Sequence, residues 1–345
     1  MRIMYLLFSF TIGGAEKLVV DLCNEMASKH QEVHLYIVND YYSNALLKAL
    51  DKRVHVKLQN RKIGKGEKIT TVIRIAKYII QNKIDVIHCN SLNAPELLLL
   101  KPILYRNSRV IFTVHDVGQY GTLSKWKVLI RNILCDSFIA ISESVRQDMV
   151  EAGANGQKIS VVYNAINLSE FQGHNGKMFD RKHVIIGNVA RMMPEKKGQD
   201  ILIEAIEQIQ KKYPEIVCEF AGGCDVQHEK AYEMLKRNVV DKNLSRNIVF
   251  RGTVIDVPSF LEKIDIFVLP SRFEGFGISL IEAMSMGIPC IASDLDGPAE
   301  IIGDNDWGEL FPVGDVNALA FKIDYIIEHQ FENHPVTMTA DFSSC

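Results

Sequence analysis

The sequence predicts an α/β protein made of two doubly wound parallel-sheet domains facing a cleft. Apolar runs of strand length alternate with stretches of helical period from end to end. Those runs are rich in Val, Ile and Phe and lack polar alternation, as strands buried on both faces do. The alternation breaks once, near the middle of 345 residues, a length that suits two domains of about 150 residues each.

In the first half RIMYLLFS, EVHLYIV, DVIHCN, RVIFTVH and SFIAIS read as strands, and SVVYNAI closes the series. Between them AEKLVVDLCNEMASKH and ITTVIRIAKYIIQNK carry helical spacing. The segment SEFQGHNGKMFDRK (169–182) loses all period and gains Gly and Asn, so it reads as a linker. The expected boundaries are 1–170, a linker at 171–182, and 183–345. The second series runs HVIIGNVA, the helix GQDILIEAIEQIQKKY, VCEFAGG, NIVFRGTV, the helix VPSFLEKI, DIFVLPS, the helix ISLIEAMSM and IPCIAS. Doubly wound sheets bind ligands beyond the carboxyl ends of their strands, so the cleft between the halves is the expected site.

Hydrophobic residues make up 47% and charged residues 23%, as in soluble globular chains. Seven cysteines are scattered in apolar runs without a CxxC pair, which suits reduced, buried thiols in a cytoplasmic protein and disfavours a structural metal. The apolar N-terminus is followed by Gly13-Gly14 and a helical pattern, so a buried strand is expected there instead of a signal peptide. Residues 1–172 hold 22 Lys and Arg against 15 Asp and Glu, while 173–345 hold 17 against 27. That asymmetry suggests different partners for the halves. A net charge of −3 and the lack of a recognition motif argue against nucleic acid.

Chemistry concentrates in EGFGISLIEAMSMG, residues 274–287. A strand ends at DIFVLPS and a helix starts just after EGFG, leaving unpaired N–H groups near Gly277, Ile278 and Ser279 that attract anions. Gly275 and Gly277 let a ligand come close to the backbone. Glu282, one turn into the helix, can accept two hydrogen bonds from a sugar diol. Glu274, in the loop, can reach another part of the ligand. A helix-dipole carboxylate is the competing reading, and it leaves the glycines unexplained. In GNVARMMPEKKGQD the cations Arg191, Lys196 and Lys197 cluster at a strand's carboxyl end, as a diphosphate requires, or else form a solvated basic turn. In the first half, Gly13-Gly14 after the first strand offers backbone amides in an incomplete glycine motif.

In order and spacing, GGAEKLVVDL, DVIHCNS, IFTVHD, IAISESV, VVYNAI, GNVARMMPEKKGQDILIEAI, FAGG, IVFRGTV and DIFVLPSRFEGFGISLIEAMSMGIPCIAS resemble the GT-B glycosyltransferases, specifically glycosyltransferase family 4. The resemblance implies a retaining, metal-independent hexosyltransferase that uses a UDP- or GDP-linked sugar. It implies that Arg191 and Lys197 grip the donor diphosphate, Lys197 being chosen because it directly precedes Gly198. Amides of Phe276, Gly277 and Ile278 would hold the sugar and phosphates, with Gly275 beside them. Glu282 would bind the ribose, Glu274 would lie near the transferred sugar, and the base would rest at Gly252, Thr253 and Val254. From the first half, His115 matches the family's active-site histidine, and Gly14 would approach the diphosphate or the acceptor. His88 and Asn90 would line the acceptor side. No cofactor or metal is implied.

Departures accompany the match. Asp294-Leu295-Asp296 and Asp304-Asn305-Asp306 spell the DxD of metal-dependent transferases, although turn chemistry accounts for both. DGPAE stands where the family has a glycine pair. FSSC at 342–345 resembles the start of the family's last crossing helices, so truncation is expected. SKWKVLIRNIL interleaves Trp126, Val128, Leu129 and Ile130 with Lys125, Lys127 and Arg131, a composition suited to an anionic bilayer, or to an ordinary amphipathic helix. The expected acceptor is a saccharide or lipid-linked saccharide in cell-surface polysaccharide synthesis. The expected location is cytoplasmic, peripheral on the inner face of the plasma membrane. The rivals are an inactive nucleotide-sugar-binding subunit and a GT-B nucleotide-sugar epimerase.

Overall fold

A computed structural model describes residues 1–62, 68–171, 180–225, 228–303 and 308–333, in two compact units, Met1–Asn164 and Ala165–Cys345. In the first unit the strands are β1 (Arg2–Leu7), β2 (Glu32–Asn39), β3 (His55–Arg61), β4 (Val86–Cys89), β5 (Arg109–Val114), β6 (Ser137–Ala140) and β7 (Ile159–Val161). Its helices are α1 (Gly14–Ser28), α2 (Asn44–Ala49), α3 (Lys68–Gln81), α4 (Lys101–Leu104), α5 (Lys125–Leu134) and α6 (Glu143–Glu151). All pairings are parallel, in the order β3-β2-β1-β4-β5-β6-β7. The order reverses between β1 and β4, which makes their carboxyl ends the switch point of this sheet.

The second unit holds β8 (Ile185–Val189), β9 (Val217–Ala221), β10 (Ile248–Gly252), β11 (Ile266–Leu269), β12 (Cys290–Ser293) and β13 (Glu309–Phe311). Its helices are α7 (Pro194–Lys197), α8 (Gln199–Ile209), α9 (Glu229–Asp241), α10 (Val257–Leu261), α11 (Ile278–Ser285), α12 (Asp296–Ile302) and α13 (Val316–Asn333). The parallel order is β10-β9-β8-β11-β12-β13, reversing between β8 and β11.

Why the strands are apolar throughout is plain in β11. Ile266 and Val268 enter a core shared with Leu202 and Ile206 of α8 and Ile323 and Ile327 of α13. Phe267 and Leu269 enter a second core, with Leu280 and Met284 of α11 and Phe260 of α10. Successive side chains point to opposite faces, so a strand covered on both sides needs apolar residues at every position. Each such burial contributes about 1.5–3 kcal/mol. Helix α1 follows the other period: its buried residues are Val19, Val20, Cys23 and Ala27.

Two strands went unread in the sequence. β3, HVKLQNR, is a charged edge strand with exposed His55, Val56 and Lys57, and such residues guard an open edge. β13 is an edge strand of three residues. The expected linker at 171–182 lies largely outside the described residues. Within it, Phe171 is packed with Ile166 against the second core, and the units divide ahead of it, at Asn164/Ala165.

Arg131 departs from the surface position expected of it. Its side chain is fully buried, with Nη2 donating to the Leu92 carbonyl (2.6 Å) and to Glu96 (2.8 Å). The guanidinium lies over the Phe112 and Tyr120 rings at 5.4 and 5.5 Å. It faces inward with Val128 and Leu134, one turn to either side on α5. The described cysteines are all unpaired; five are buried and Cys224 is half-buried. Among the described residues no helix is long and apolar enough to cross a membrane.

Candidate active site

In the second unit the switch point sets two loops side by side, the β8–α8 connection with its one-turn helix α7, and the β11–α11 loop (270–277). Gly198 ends α7 at φ +66°, and a Cβ there would stand 1.8 Å from the Pro270 carbonyl oxygen. Only glycine tolerates both the left-handed backbone and that approach. The contact delivers Lys197 to Glu274: Nζ donates to Oε2 at 2.8 Å, and the side chains are only 19% and 13% exposed. Ser271 Oγ donates to the same oxygen at 3.3 Å. The cation expected for a phosphate and the carboxylate expected for a sugar are therefore partners in this structure.

Gly277 N-caps α11 at φ +109° without a side-chain cap, and its carbonyl accepts from the Leu280 N–H at 2.9 Å. Glu282 is 5% exposed in the next turn, and Phe276 is buried in the loop. On the other side of β8, Arg191 is an exposed side chain whose backbone carbonyl accepts from Gln199 Nε2 at 2.9 Å. Thr253 and Val254 follow the end of β10. Gly222, just past β9, links these two ends. Its N–H donates to the Gly252 carbonyl at 2.8 Å, and a Cβ on it would meet the Ala190 oxygen at 1.8 Å. Asp294–Asp296 carries β12 into α12 as a turn, and the second DxD (304–306) lies outside the described residues.

In the first unit Gly14 opens α1 behind Gly13, again without a side-chain cap. His115 follows β5, and its Nε2–H faces Asn90 Oδ1 at 3.3 Å. With Nε2 as donor, Nδ1 is the acceptor of the neutral ring. That atom is enclosed and has no hydrogen-bond partner among the described residues. Burial pushes the His115 imidazole down to about 4, against a smaller upward pull from Asp116. His88 shares a 2.7 Å hydrogen bond with Thr113 Oγ1 and is also pushed down to about 4, by burial first and then by His115. Both rings are neutral at pH 7. The expected acceptor-side residues thus sit together where β4 and β5 end.

Known families account for both units. A family model described as Glycosyltransferase Family 4 matches residues 12–170, and one described as Glycosyl transferases group 1 matches 173–340. The chain belongs to this glycosyltransferase family.

Relatives carry the same family stamp. The chain is 25% identical over 297 residues to a poly(ribitol-phosphate) alpha-N-acetylglucosaminyltransferase of Staphylococcus aureus, which covers 83% of the chain and 56% of that protein. It is 25% identical over 277 residues to a UDP-Gal:alpha-D-GlcNAc-diphosphoundecaprenol alpha-1,3-galactosyltransferase of Escherichia coli, covering 75% of the chain and 70% of the relative. The chain therefore spans little more than half the length of the first of these. Among solved structures, Anabaena HepE in complex with UDP and glucose superposes with a TM-score of 0.81, over 96% of this chain and 90% of that one, at 21% identity. That likeness is one of fold, the GT-B fold with its two parallel-sheet units.

The sequence reading quoted Gly222 within FAGG without giving it a role, and gave none to Arg272 or Asp200. The glycine doublet after VCEFA was a visible signal for the first. For Arg272 and Asp200 no local pattern exists, because they meet across 72 residues of chain.

Proposed function

We propose that the protein is a retaining glycosyltransferase that moves a hexose from a UDP- or GDP-sugar to a saccharide or lipid-linked saccharide during cell-surface polysaccharide synthesis. The observation that carries this reading is the grouping of Lys197, Glu274, the α11 N-terminus and Glu282 around one loop. That set matches the parts of a nucleotide-sugar: a cation and amides for the diphosphate, and a carboxylate for a diol. Names such as the UDP-Gal-dependent relative's, and the UDP bound in HepE, favour UDP within that class.

In the reaction the anomeric C–O bond to the diphosphate breaks while the acceptor oxygen bonds the same face of that carbon. The acceptor proton passes to the departing phosphate oxygen. Negative charge grows on the diphosphate, where Lys197, Arg191 and the amides of Phe276, Gly277 and Ile278 stabilise it, so no metal is needed. Glu282 accepts from the ribose hydroxyls, and Gly252, Thr253 and Val254 border the base. Glu274 and neutral His115 serve the sugar, His115 through its enclosed Nδ1, which has no hydrogen-bond partner among the described residues. Gly14 presents its amide to the diphosphate or acceptor.

Peripheral binding to an anionic leaflet belongs to the same proposal. Exposed Trp126, Leu129 and Ile133 line one stripe of α5, between exposed Lys125 and Lys127. Helix α3 exposes Ile69 and Ile73 among Lys68, Arg74 and Lys77, and neither helix contains a carboxylate. Apolar side chains ringed by cations suit a negatively charged membrane surface.

The test is incubation with UDP-hexoses and GDP-mannose plus bacterial lipid extracts, read by mass and by the anomeric NMR coupling of the product. A lipid or saccharide gaining one hexosyl unit with retained configuration is expected. Conversion of free nucleotide-sugar without acceptor would mark an epimerase, and binding without turnover an inactive subunit.

A further inference from the structure

Arg272 sits beside Ser271 and two residues from Glu274, yet its guanidinium turns toward the neighbouring loop. Nη1 donates to the Pro194 carbonyl and to Asp200 Oδ1, both at 2.7 Å, and Nη2 donates to Asp200 Oδ2 at 2.7 Å. Its backbone N–H and that of Phe273 donate to the Lys196 carbonyl at 2.8 and 3.2 Å. Arg272 thus grips both ends of α7 and the first turn of α8. A single turn of helix does not hold itself, so α7 depends on such outside contacts. Lys197 is its last residue.

We propose that Arg272, paired with Asp200, is a positioning residue that sets the reach of Lys197 toward Glu274 and hence toward the donor diphosphate, a role resting on the glycosyl-transfer reading above. The Arg272 and Asp200 side chains are about a third exposed, 32% and 35%. Ion pairs in such surroundings add little to global stability. A forked, bidentate pair nevertheless fixes geometry closely. Loss of the staple should therefore leave the fold standing and loosen the loop pair. That separates positioning from a merely structural role, and from direct phosphate binding.

The substrate-free test uses protein labelled with 13Cε-lysine, with the Lys197 signal assigned by its loss in Lys197→Gln. Arg272→Ala and Asp200→Ala should both move that signal toward its position in Glu274→Gln. A Lys197 signal unmoved in both variants overturns the proposal. With the UDP-hexose turned over by the wild type, kcat should fall by about a hundredfold in each variant, as for a misplaced catalytic group, while the calorimetric Kd for UDP changes less than about threefold. The double variant should be no worse than either single one. If Arg272→Ala weakens UDP binding tenfold or more and Asp200→Ala does not, Arg272 is a phosphate ligand and the proposal fails. Should Arg272→Ala not fold, Arg272→Lys and Asp200→Asn take its place, since a point charge cannot form the fork. A wild type without turnover whose Lys197 signal responds as expected refutes glycosyl transfer and leaves the staple standing.

Discussion

The proposed reaction gives Lys197 and Glu282 different duties, and substitutions should separate them. Lys197→Ala should cost turnover about 2–4 kcal/mol of transition-state stabilisation, in the range measured for a lost charge-stabilising donor. Glu282→Ala should instead weaken nucleotide binding, by about 1.5–3 kcal/mol for hydrogen bonds to a charged group, with a smaller change in kcat. Steady-state kinetics and calorimetry with UDP check both; equal effects on kcat from the two variants would refute the division. The two histidines give a pH prediction. Their folded values lie near 4, below the usual 6.5, so the unfolded chain binds more protons between those limits. Their contribution to stability is complete above pH 6.5 and is lost as the pH falls toward 4. Denaturant midpoints at pH 7 and 4.5 should show that loss, reduced in His115→Asn.

At the scale of elements, helix α5 shows what a sequence conveys and what it hides. Composition pointed to Trp126, Leu129 and the lysines, which are exposed, but also to Val128, which is buried, and it passed over exposed Ile133. The burial of Arg131 was not legible, because a cation reads as solvent-facing until Glu96, the Leu92 carbonyl and two aromatic rings are known to surround it. If α5 binds a bilayer, Trp126→Ala with Lys127→Glu should reduce co-sedimentation with phosphatidylglycerol vesicles severalfold, and added salt should do the same, since surface charge attraction is screened. Salt-independent binding, or none in the wild type, would exclude that role. The loop 270–277 was legible as a candidate site because a strand end, glycines and a helix start are local. Its partner loop was legible as a basic cluster suited to a diphosphate, but not as a partner of Glu274. The Lys197–Glu274 pair depends on β8 lying beside β11, a fact of sheet order that local sequence does not spell out across a separation of 77 positions.

For the whole molecule, the two parallel sheets were readable from alternation alone, except where β3 and β13 form polar or very short edges. A reaction driven by lysine, arginine and backbone amides should keep full turnover after exhaustive dialysis against EDTA; a strict metal requirement would contradict it. One feature of the second unit reaches beyond folding. β11 is gripped by separate cores on its two faces, and the loop carrying Glu274 begins at its end. Softening either face therefore reaches that loop. Phe267→Ala on one side, at about 3–5 kcal/mol, and Val268→Ala on the other should lower the temperature of heat inactivation in step with calorimetric melting of this unit. In these two variants activity should not vanish while the unit is still intact, because both substitutions act on the strand from which the loop starts.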